Sequence, residues 1–124
     1  MQQYVILRHD HPELHWDLML EEGDVLKTWR LPQPPEIDPA SDETSLDLTA
    51  EALPDHRLVY LEYEGPVSGD RGEVSRWDRG TFTLLERSED QLVALLTGEE
   101  LAGRLTLKKQ DSENRWSLNY TAFF

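Results

Sequence analysis

The chain of 124 residues contains no cysteine. This absence excludes a disulfide framework, a thiolate metal site and a cysteine nucleophile, so any bound metal must be held by histidine and carboxylate side chains. The sequence also lacks a basic N-terminal segment followed by a long apolar run, and no uncharged apolar stretch is long enough to span a membrane. We therefore expect a soluble, cytoplasmic protein that makes no membrane contact.

Basic residues are scarce. Twelve Lys and Arg side chains stand against 25 Asp and Glu side chains, which gives a net charge of −13 at pH 7. Such a charge repels a phosphate backbone at long range and argues against general affinity for nucleic acid. The charge is uneven, because residues 31–56 hold seven acids and no Lys or Arg, whereas Arg71, Arg76 and Arg79 lie within nine residues. A local basic face is therefore compatible with the sequence.

Short strands separated by turn residues dominate the pattern. The length suits one domain, residues 1–124, with one core. Strands are predicted at residues 4–8, 14–21, 25–30, 73–78, 81–87, 91–97, 101–109 and 115–123. This succession indicates an all-β fold, a small closed or nearly closed antiparallel β-barrel of about eight strands with at most short helices.

Three segments connect these strands. Residues 22–24 are a turn that joins the strands on either side as a hairpin, and Trp29 is expected in the core. Residues 31–51 combine four prolines with acidic side chains and little apolar content, which predicts an acidic, Pro-rich loop that is the most mobile part of the chain. The segment around His56 and Tyr60 fits either a strand or a short helix, and in both cases these two side chains share a face.

Residues 9–17 concentrate side chains that can bind a metal or transfer a proton, since they include three of the four histidines and three carboxylates. On a strand, side chains two apart share a face, so His15, Asp17 and Met19 point to one side while the apolar side chains between them point to the other. Two imidazoles and a carboxylate that converge are a usual ligand set for Mn²⁺, Zn²⁺ or Fe²⁺. His9, His15 and Asp17 are therefore candidate metal ligands.

Two other interpretations of this cluster stay open. Histidines and aspartates near a loop are commonly only solvated and bind nothing. A His-x-Asp pair with a further histidine downstream, here His56, is also the pattern of the facial triad of iron(II) oxygenases, although those enzymes normally place more strands between the pair and the last ligand.

Several motifs follow one another in order along the chain. His9-Asp10 is followed, after a gap, by His15-Trp16-Asp17 on the next predicted strand. In this the chain resembles the phosphoesterase domain of bacterial DNA ligase D. The likeness spans about residues 4–109, and its further landmarks are residues 23–29, Asp55-His56 with Tyr60, and residues 63–65, 77–80 and 101–107.

The resemblance implies a small β-barrel that binds a divalent cation, typically manganese, and trims the 3′ ends of DNA during end joining. It implies removal of terminal 3′-phosphates and 3′-ribonucleotides. Carried over position by position, it makes His9, His15 and Asp17 the metal ligands. His56 and Tyr60 resemble the pair that contacts the scissile phosphate.

Three positions depart from the family pattern. Met19 stands where the family has an arginine that clamps phosphate, Leu7 where it has a glutamine, and Pro54 where it has a glutamate. The metal ligands are thus kept while the handling of phosphate is altered. The candidates to bind the phosphate instead are Arg8, Arg76 and Arg79.

The first functional hypothesis is a metal-dependent 3′-phosphoesterase, a hydrolase of reduced or drifted activity, that acts weakly on DNA or RNA–DNA 3′ ends or on another phosphate ester. Its expected cofactor is Mn²⁺, with Zn²⁺ or another divalent cation as the alternative. The second hypothesis is a non-catalytic metal-binding barrel that docks a repair ligase or another partner, which the missing arginine and the negative surface favour. The oxygenase hypothesis requires iron and an oxidised product.

Overall fold

The structure is a computed structural model that describes residues 1–111 and 113–123. The regular elements of this part of the chain are nine strands and one short 3₁₀ helix, Leu58–Leu61. The strands are β1 Gln2–His9, β2 His15–Glu22, β3 Val25–Leu31, β4 Ser45–Arg57, β5 Gly65–Pro66, β6 Glu73–Arg87, β7 Gln91–Gly98, β8 Ala102–Lys109 and β9 Arg115–Ala122.

Eight of these strands close into an antiparallel barrel. The order around the ring is β1, β2, β3, β4, β9, β8, β7 and β6, and β6 pairs with β1 to complete it. The two-residue strand β5 is added to β6 outside the ring. The predicted all-β barrel with at most short helices is therefore confirmed. No helix in the described ranges is long and apolar enough to cross a membrane.

Strand alternation places one apolar cluster on each face of β1 and β2. The inner cluster fills the barrel with side chains from all eight strands of the ring. Trp29 belongs to it, is 3% exposed and meets Trp116 edge-on with 5.4 Å between ring centroids, which confirms its predicted core position. The outer cluster lies beneath the 3₁₀ helix and the chain that follows it, and consists of Val5, Leu7, Met19, Leu26 and Val74.

The prediction of a loop at residues 31–51 is wrong at both ends. Leu31 still belongs to β3, and β4 begins at Ser45 and pairs with β9 as far as Glu51. Within residues 45–51 the apolar side chains alternate with more exposed polar ones, which is the pattern of a half-buried strand. The acidic composition concealed that alternation. The irregular segment is confined to residues 32–44.

The strands predicted at residues 73–78 and 81–87 are one strand, β6. The residue between them, Gly80, does not interrupt the ladder but permits two backbones to approach closely, because a Cβ there would collide with the carbonyl oxygen of Thr97 and with Gly98. The first half of β6 pairs with β1 and the second half with β7. The length of this strand is what closes the ring.

Candidate metal centre

The hairpin formed by β1 and β2 brings the two candidate histidine ligands together. His9 is the last residue of β1 and His15 the first of β2, and they pair directly across the ladder. Their ring centroids are 4.9 Å apart. Asp17, two residues further along β2, shares the face of His15, and one ligand atom from each of the three residues lies within 4.8 Å of the others.

Main-chain carbonyl groups determine which ring nitrogens face the carboxylate. Nε2–H of His9 donates a hydrogen bond to the carbonyl oxygen of Arg71 at 2.8 Å, and Nδ1–H of His15 donates one to that of Glu13 at 2.8 Å. A neutral imidazole carries only one N–H, so the other nitrogen of each ring has a lone pair. Those two nitrogens face Asp17, at 3.5 Å from His9 and 3.2 Å from His15, and in the protonated ring Nε2–H of His15 donates to Oδ2 of Asp17.

The electrostatics of this cluster suit a bound cation. Burial alone would lower the pKa of His15, but the hydrogen bond and charge of Asp17, together with the Glu13 carbonyl, outweigh burial and raise it. Asp17 is 3% exposed, and its Oδ1 receives no hydrogen bond of acceptable geometry from the described residues. Two lone-pair nitrogens and a buried, incompletely bonded carboxylate are the donor set of a divalent metal site with no thiolate, so these residues fit such an ion.

A cleft of about 340 Å³ opens above this cluster on the outer face of the barrel. Its wall includes the three candidate ligands together with His56 and Tyr60. The segment for which the sequence allowed either a strand or a short helix contains both. His56 lies on β4, which ends at Arg57, and Tyr60 lies on the 3₁₀ helix that follows. The His56 and Tyr60 rings meet edge-on, with 5.6 Å between centroids.

Hydrogen bonding also orients the His56 ring. Its Nδ1–H donates to the carbonyl oxygen of Pro54 at 2.9 Å, so Nε2 is the nitrogen left for another partner. His56 does not belong to the metal-ligand group found among the described residues. The facial-triad interpretation takes His56 as its third ligand, whereas the group contains His9, so the structure does not place His56 as a metal ligand.

The three positions that depart from the family pattern lie around the same cleft. Met19 is 1% exposed and forms part of the cleft wall. Leu7 is fully buried next to it in the outer apolar cluster. Pro54 is exposed and contributes its carbonyl group to His56. Of these three residues only Met19 lines the cleft, so the cleft wall has an apolar side chain where the family pattern has an arginine.

The three arginines suggested by the sequence as phosphate ligands do not line the cleft. Arg8 is exposed and alternates with His9 along β1, so it points to the opposite face. Arg76 lies 3.8 Å from a carboxylate oxygen of Glu64, and Arg79 lies 3.5 Å from one of Glu62. Both guanidinium groups thus lie beside acids outside the cleft, although Nε of Arg76 has no hydrogen-bond partner among the described residues.

Two other arginines lie on the cleft wall: Arg71, which the sequence showed only as part of a basic cluster, and Arg30, which sequence analysis missed. Arg71 is held within its own loop, because its Nε donates to the carbonyl oxygen of Ser68 at 2.6 Å. Arg30 lies on β3 directly opposite Asp17. The hairpin turn contained the signal: counting back from a tight turn at Gly23 and Asp24 pairs residue 30 with residue 17.

The fold and the site together define a class: a small antiparallel β-barrel with a candidate two-histidine, one-carboxylate metal centre on its outer face. The chain belongs to the DNA ligase D 3′-phosphoesterase domain family, whose model matches residues 7–109. This confirms the family resemblance seen in the sequence.

Named relatives agree with that membership. The chain is 32% identical over 127 residues, and 94% of its own length, to the multifunctional non-homologous end joining protein LigD of Pseudomonas aeruginosa. It is 31% identical over 120 residues to proteins of that name from Mycobacterium bovis and Mycobacterium tuberculosis, with 91% of the chain covered. The match spans 14% of the Pseudomonas protein and 15% of the mycobacterial ones.

Proposed function

We propose that the protein is a divalent-metal-dependent phosphoesterase that removes a phosphate or a terminal ribonucleotide from the 3′ end of DNA. One observation carries the proposal: the oriented cluster of His9, His15 and Asp17 shares a cleft with His56 and Tyr60. Membership of a 3′-phosphoesterase family supports the reaction type. The names of the relatives, which refer to non-homologous end joining, support DNA ends as the substrate.

The metal would be held by His9, His15 and Asp17. When bound, a divalent cation supplies charge that stabilises phosphoryl oxygens and lowers the pKa of a water molecule. Mn²⁺ is the proposed ion and Zn²⁺ the alternative, because imidazole and carboxylate donors suit both. The carbonyl groups of Arg71 and Glu13 keep the two rings in the tautomers that such an ion needs.

His56 and Tyr60 act on the phosphate ester. With Nδ1–H bound to the Pro54 carbonyl, the imidazolium form of His56 presents Nε2–H to the oxygen that leaves when the P–O bond breaks, and donates its proton there. The Tyr60 hydroxyl donates a hydrogen bond to a non-bridging oxygen and fixes the orientation of the phosphate. The edge-on contact of the two rings keeps both donors at the same end of the cleft.

Phosphate release from a 3′-phosphorylated primer in the presence of Mn²⁺ tests the activity. We expect His15→Ala to abolish release and His56→Ala to slow it by about a hundredfold or more, the range of general acid–base catalysis. Asp24→Ala is the matched control, since Asp24 is an exposed acid at the far end of the β2–β3 hairpin. Equal rates in wild type, His15→Ala and Asp24→Ala would contradict the proposal.

Calorimetric titration with Mn²⁺ and with Zn²⁺ tests the metal centre separately. Asp17→Asn keeps the shape of the side chain but removes its charge, and we expect it to weaken binding by at least about a hundredfold, above the usual effect of residues that only support a ligand. Asp24→Asn should bind like the wild type. An affinity that is the same in Asp17→Asn and the wild type would rule out Asp17 as a ligand.

A second candidate function is a metal-binding barrel without catalysis that docks a repair ligase. Two observations favour it: the buried Met19 in the cleft wall and the net charge of −13. The same experiments separate the two candidates. A protein that binds Mn²⁺ through Asp17 but releases no phosphate above the His15→Ala background would be a binding module, and one that turns over would be an enzyme.

A further inference from the structure

Among the described residues, one arginine of the cleft wall has a guanidinium group that is not bound to another part of the protein. Arg30 is partly buried, and its Nε is inaccessible to solvent without a hydrogen-bond partner among the described residues. It forms no salt bridge with a carboxylate in that part of the chain. A buried N–H without a partner is unfavourable unless an acceptor completes its bonding, and an anion is the best acceptor for a guanidinium.

Register places Arg30 beside the candidate metal centre. In the β2–β3 ladder Arg30 is opposite Asp17, and Met19 is opposite Thr28, two residues further along. Directly opposed side chains lie on the same face of an antiparallel pair, with Cβ atoms about 5 Å apart. Arg30 therefore shares the face of Asp17 and Met19 but projects from the neighbouring strand.

Arg30 is one of two arginines on the cleft wall. The other arginine of the cleft wall differs, because the Arg71 guanidinium donates to the main chain and to the side chain of Ser68, at 2.6 and 3.1 Å. Arg71 thus commits two of its five N–H donors to Ser68, whereas no side-chain donor of Arg30 has a partner among the described residues.

We propose that Arg30 binds the substrate phosphate from β3 and thereby replaces the arginine that the family pattern has at position 19. The inference rests on the proposed function for the identity of the phosphate as a 3′-terminal one. A guanidinium presents a planar fork of donors that matches two phosphate oxygens. An arginine on β3 can therefore make the same contact as an arginine on the neighbouring strand β2. Met19 then fills the space beneath the phosphate without bonding to it.

The position of Arg30 raises one competing possibility. Arg30 also borders a wider groove of about 1070 Å³, which it shares with His15 and Pro12. An arginine that bound internal phosphates of a strand lying in that groove would not distinguish a 3′-phosphate from a 3′-hydroxyl. Comparing binding of a 3′-phosphate end with binding of a 3′-hydroxyl end therefore distinguishes the two roles of Arg30.

The test measures binding without turnover. The metal-free protein, kept in a chelator, is titrated with a short fluorescent oligonucleotide that ends in a 3′-phosphate, and with the same oligonucleotide ending in a 3′-hydroxyl. Arg30→Met preserves the apolar stem of the side chain and removes the charge. Arg104→Met is the control, because Arg104 is an exposed arginine on β8 and its loss changes the net charge equally.

We expect Arg30→Met to weaken binding of the 3′-phosphate oligonucleotide by about tenfold to a hundredfold, the usual effect of losing a hydrogen-bonded charge. Arg104→Met should change it less than about twofold, and neither variant should alter binding of the 3′-hydroxyl oligonucleotide. Equal effects of Arg30→Met and Arg104→Met on the 3′-phosphate end would overturn the inference. So would equal losses for both oligonucleotides, which would place Arg30 on internal phosphates.

Two more variants keep the test decisive if Arg30→Met does not fold. Arg30→Lys retains the charge but not the fork, and should bind the 3′-phosphate less tightly than the wild type and more tightly than a neutral residue. Met19→Arg should rescue phosphate binding when combined with the loss of Arg30, yet add little to the wild type, because the two arginines serve one phosphate. If Met19→Arg raised phosphate affinity as much in the wild type as in the variant without Arg30, Arg30 would not be the replacement for the arginine at position 19.

Failure of the Arg30 proposal can be told apart from failure of the proposed function. Phosphate release by the wild type, unchanged in Arg30→Met, would refute Arg30 alone. Selective loss of 3′-phosphate binding in Arg30→Met by a protein that releases no phosphate would uphold Arg30 as the phosphate ligand and refute the activity.

Discussion

The main-chain carbonyl groups of Arg71 and Glu13 decide which nitrogens of His9 and His15 face Asp17. Asp17 in turn raises the pKa of His15, so in the absence of metal this ring holds a proton over a wider range of pH. A metal ion must displace that proton before it can bind the nitrogen. At the scale of single residues, metal affinity is therefore tied to the proton affinity of one imidazole.

A second buried polar pair lies at the other end of β1. The Tyr4 hydroxyl donates to Oδ2 of Asp78 at 2.6 Å, and that carboxylate also accepts from the backbone N–H groups of Glu100 and Leu101. Burial, together with the hydrogen bond and charge of Asp78, raises the pKa of Tyr4. The unfolded chain ionises near the ordinary value of about 10, while the folded protein keeps the proton.

From the sign of this shift we expect the stabilisation from Tyr4 to be complete below about pH 10 and to be lost as the pH rises further. Urea unfolding between pH 7 and 11 measures it. Tyr4→Phe should lower the free energy of unfolding by about 1.5–3 kcal/mol at neutral pH, with a difference from the wild type that narrows above pH 10. Tyr63→Phe, a partly exposed control, should leave the alkaline loss in place, and a constant gap for Tyr4→Phe would refute the assignment.

At the scale of elements, the loop before β6 supports the candidate centre. Asp10 follows β1 and its Oδ1 accepts a hydrogen bond from the backbone N–H of Glu73 at 2.8 Å, which lowers the pKa of Asp10. Gly72 has φ of +75°, and a Cβ there would collide with Asp10 and with His11. The loop can therefore bring the Arg71 carbonyl to His9 only with glycine at position 72.

We expect Gly72→Ala to weaken Mn²⁺ binding by about tenfold or more, because it displaces the carbonyl that orients the His9 ring. Calorimetry measures the affinity. Gly23→Ala is the matched control, since Gly23 also has a positive φ, +64°, but a Cβ there meets no atom within 4 Å among the described residues. Equal affinity in the two alanine variants would show that the loop does not position the ligand.

The irregular segment at residues 32–44 pairs with no strand among the described residues, and the backbone–backbone hydrogen bonds within it are those of the Glu36 and Ser41 N–H groups. We expect its amide hydrogens to exchange fastest with solvent, while residues 45–51, paired with β9, should be protected like residues 81–87. Hydrogen exchange followed by mass spectrometry resolves the two segments. Equal protection of residues 32–44 and 45–51 would show that the acidic loop is packed against the barrel.

At the scale of the whole molecule, charge limits how DNA can bind. The net charge is −13, and the groove next to the cleft is bordered by Glu13, Glu51, Asp111 and Glu113. Such a surface repels a long phosphate backbone and leaves recognition to a terminal phosphate near Arg30. If the protein acts on DNA as proposed, this charge favours contact with an end over contact along a strand.

We therefore expect the logarithm of the affinity for a 3′-phosphorylated oligonucleotide to fall with the logarithm of the salt concentration with a slope shallower than about −2, because each bound phosphate of a single strand contributes about −0.7. Fluorescence anisotropy at several salt concentrations gives the slope. Lengthening the oligonucleotide away from its 3′ end should not increase affinity. A steep slope, or a large gain with length, would reveal an extended phosphate contact surface.

Much of the fold was predictable, because alternation and turn residues act locally. The hairpin around Gly23, the strands with clear alternation and the core position of Trp29 follow from short-range pattern. The start of β4 and the continuity of β6 did not, since acidic composition disguised alternation at residues 45–51 and Gly80 looked like a break. In both cases the partner strand, which is distant in sequence, decides the structure.

The sequence by itself determined the ligand types and their closeness, because His9, His15 and Asp17 lie on two strands joined by a short connection and must meet at its end. It also indicated the family. Only the tertiary structure showed that none of the three predicted arginines lines the cleft, whereas the place of Arg30 could have been read from the β2–β3 turn. Strand alternation points Arg8 to the opposite face of β1, and Arg76 and Arg79 lie beside acids outside the cleft. The β2–β3 register, in contrast, brings Arg30 beside Asp17. The reason is physical: a side chain reaches a site through the face and register of its strand, and both are set by pairing between strands.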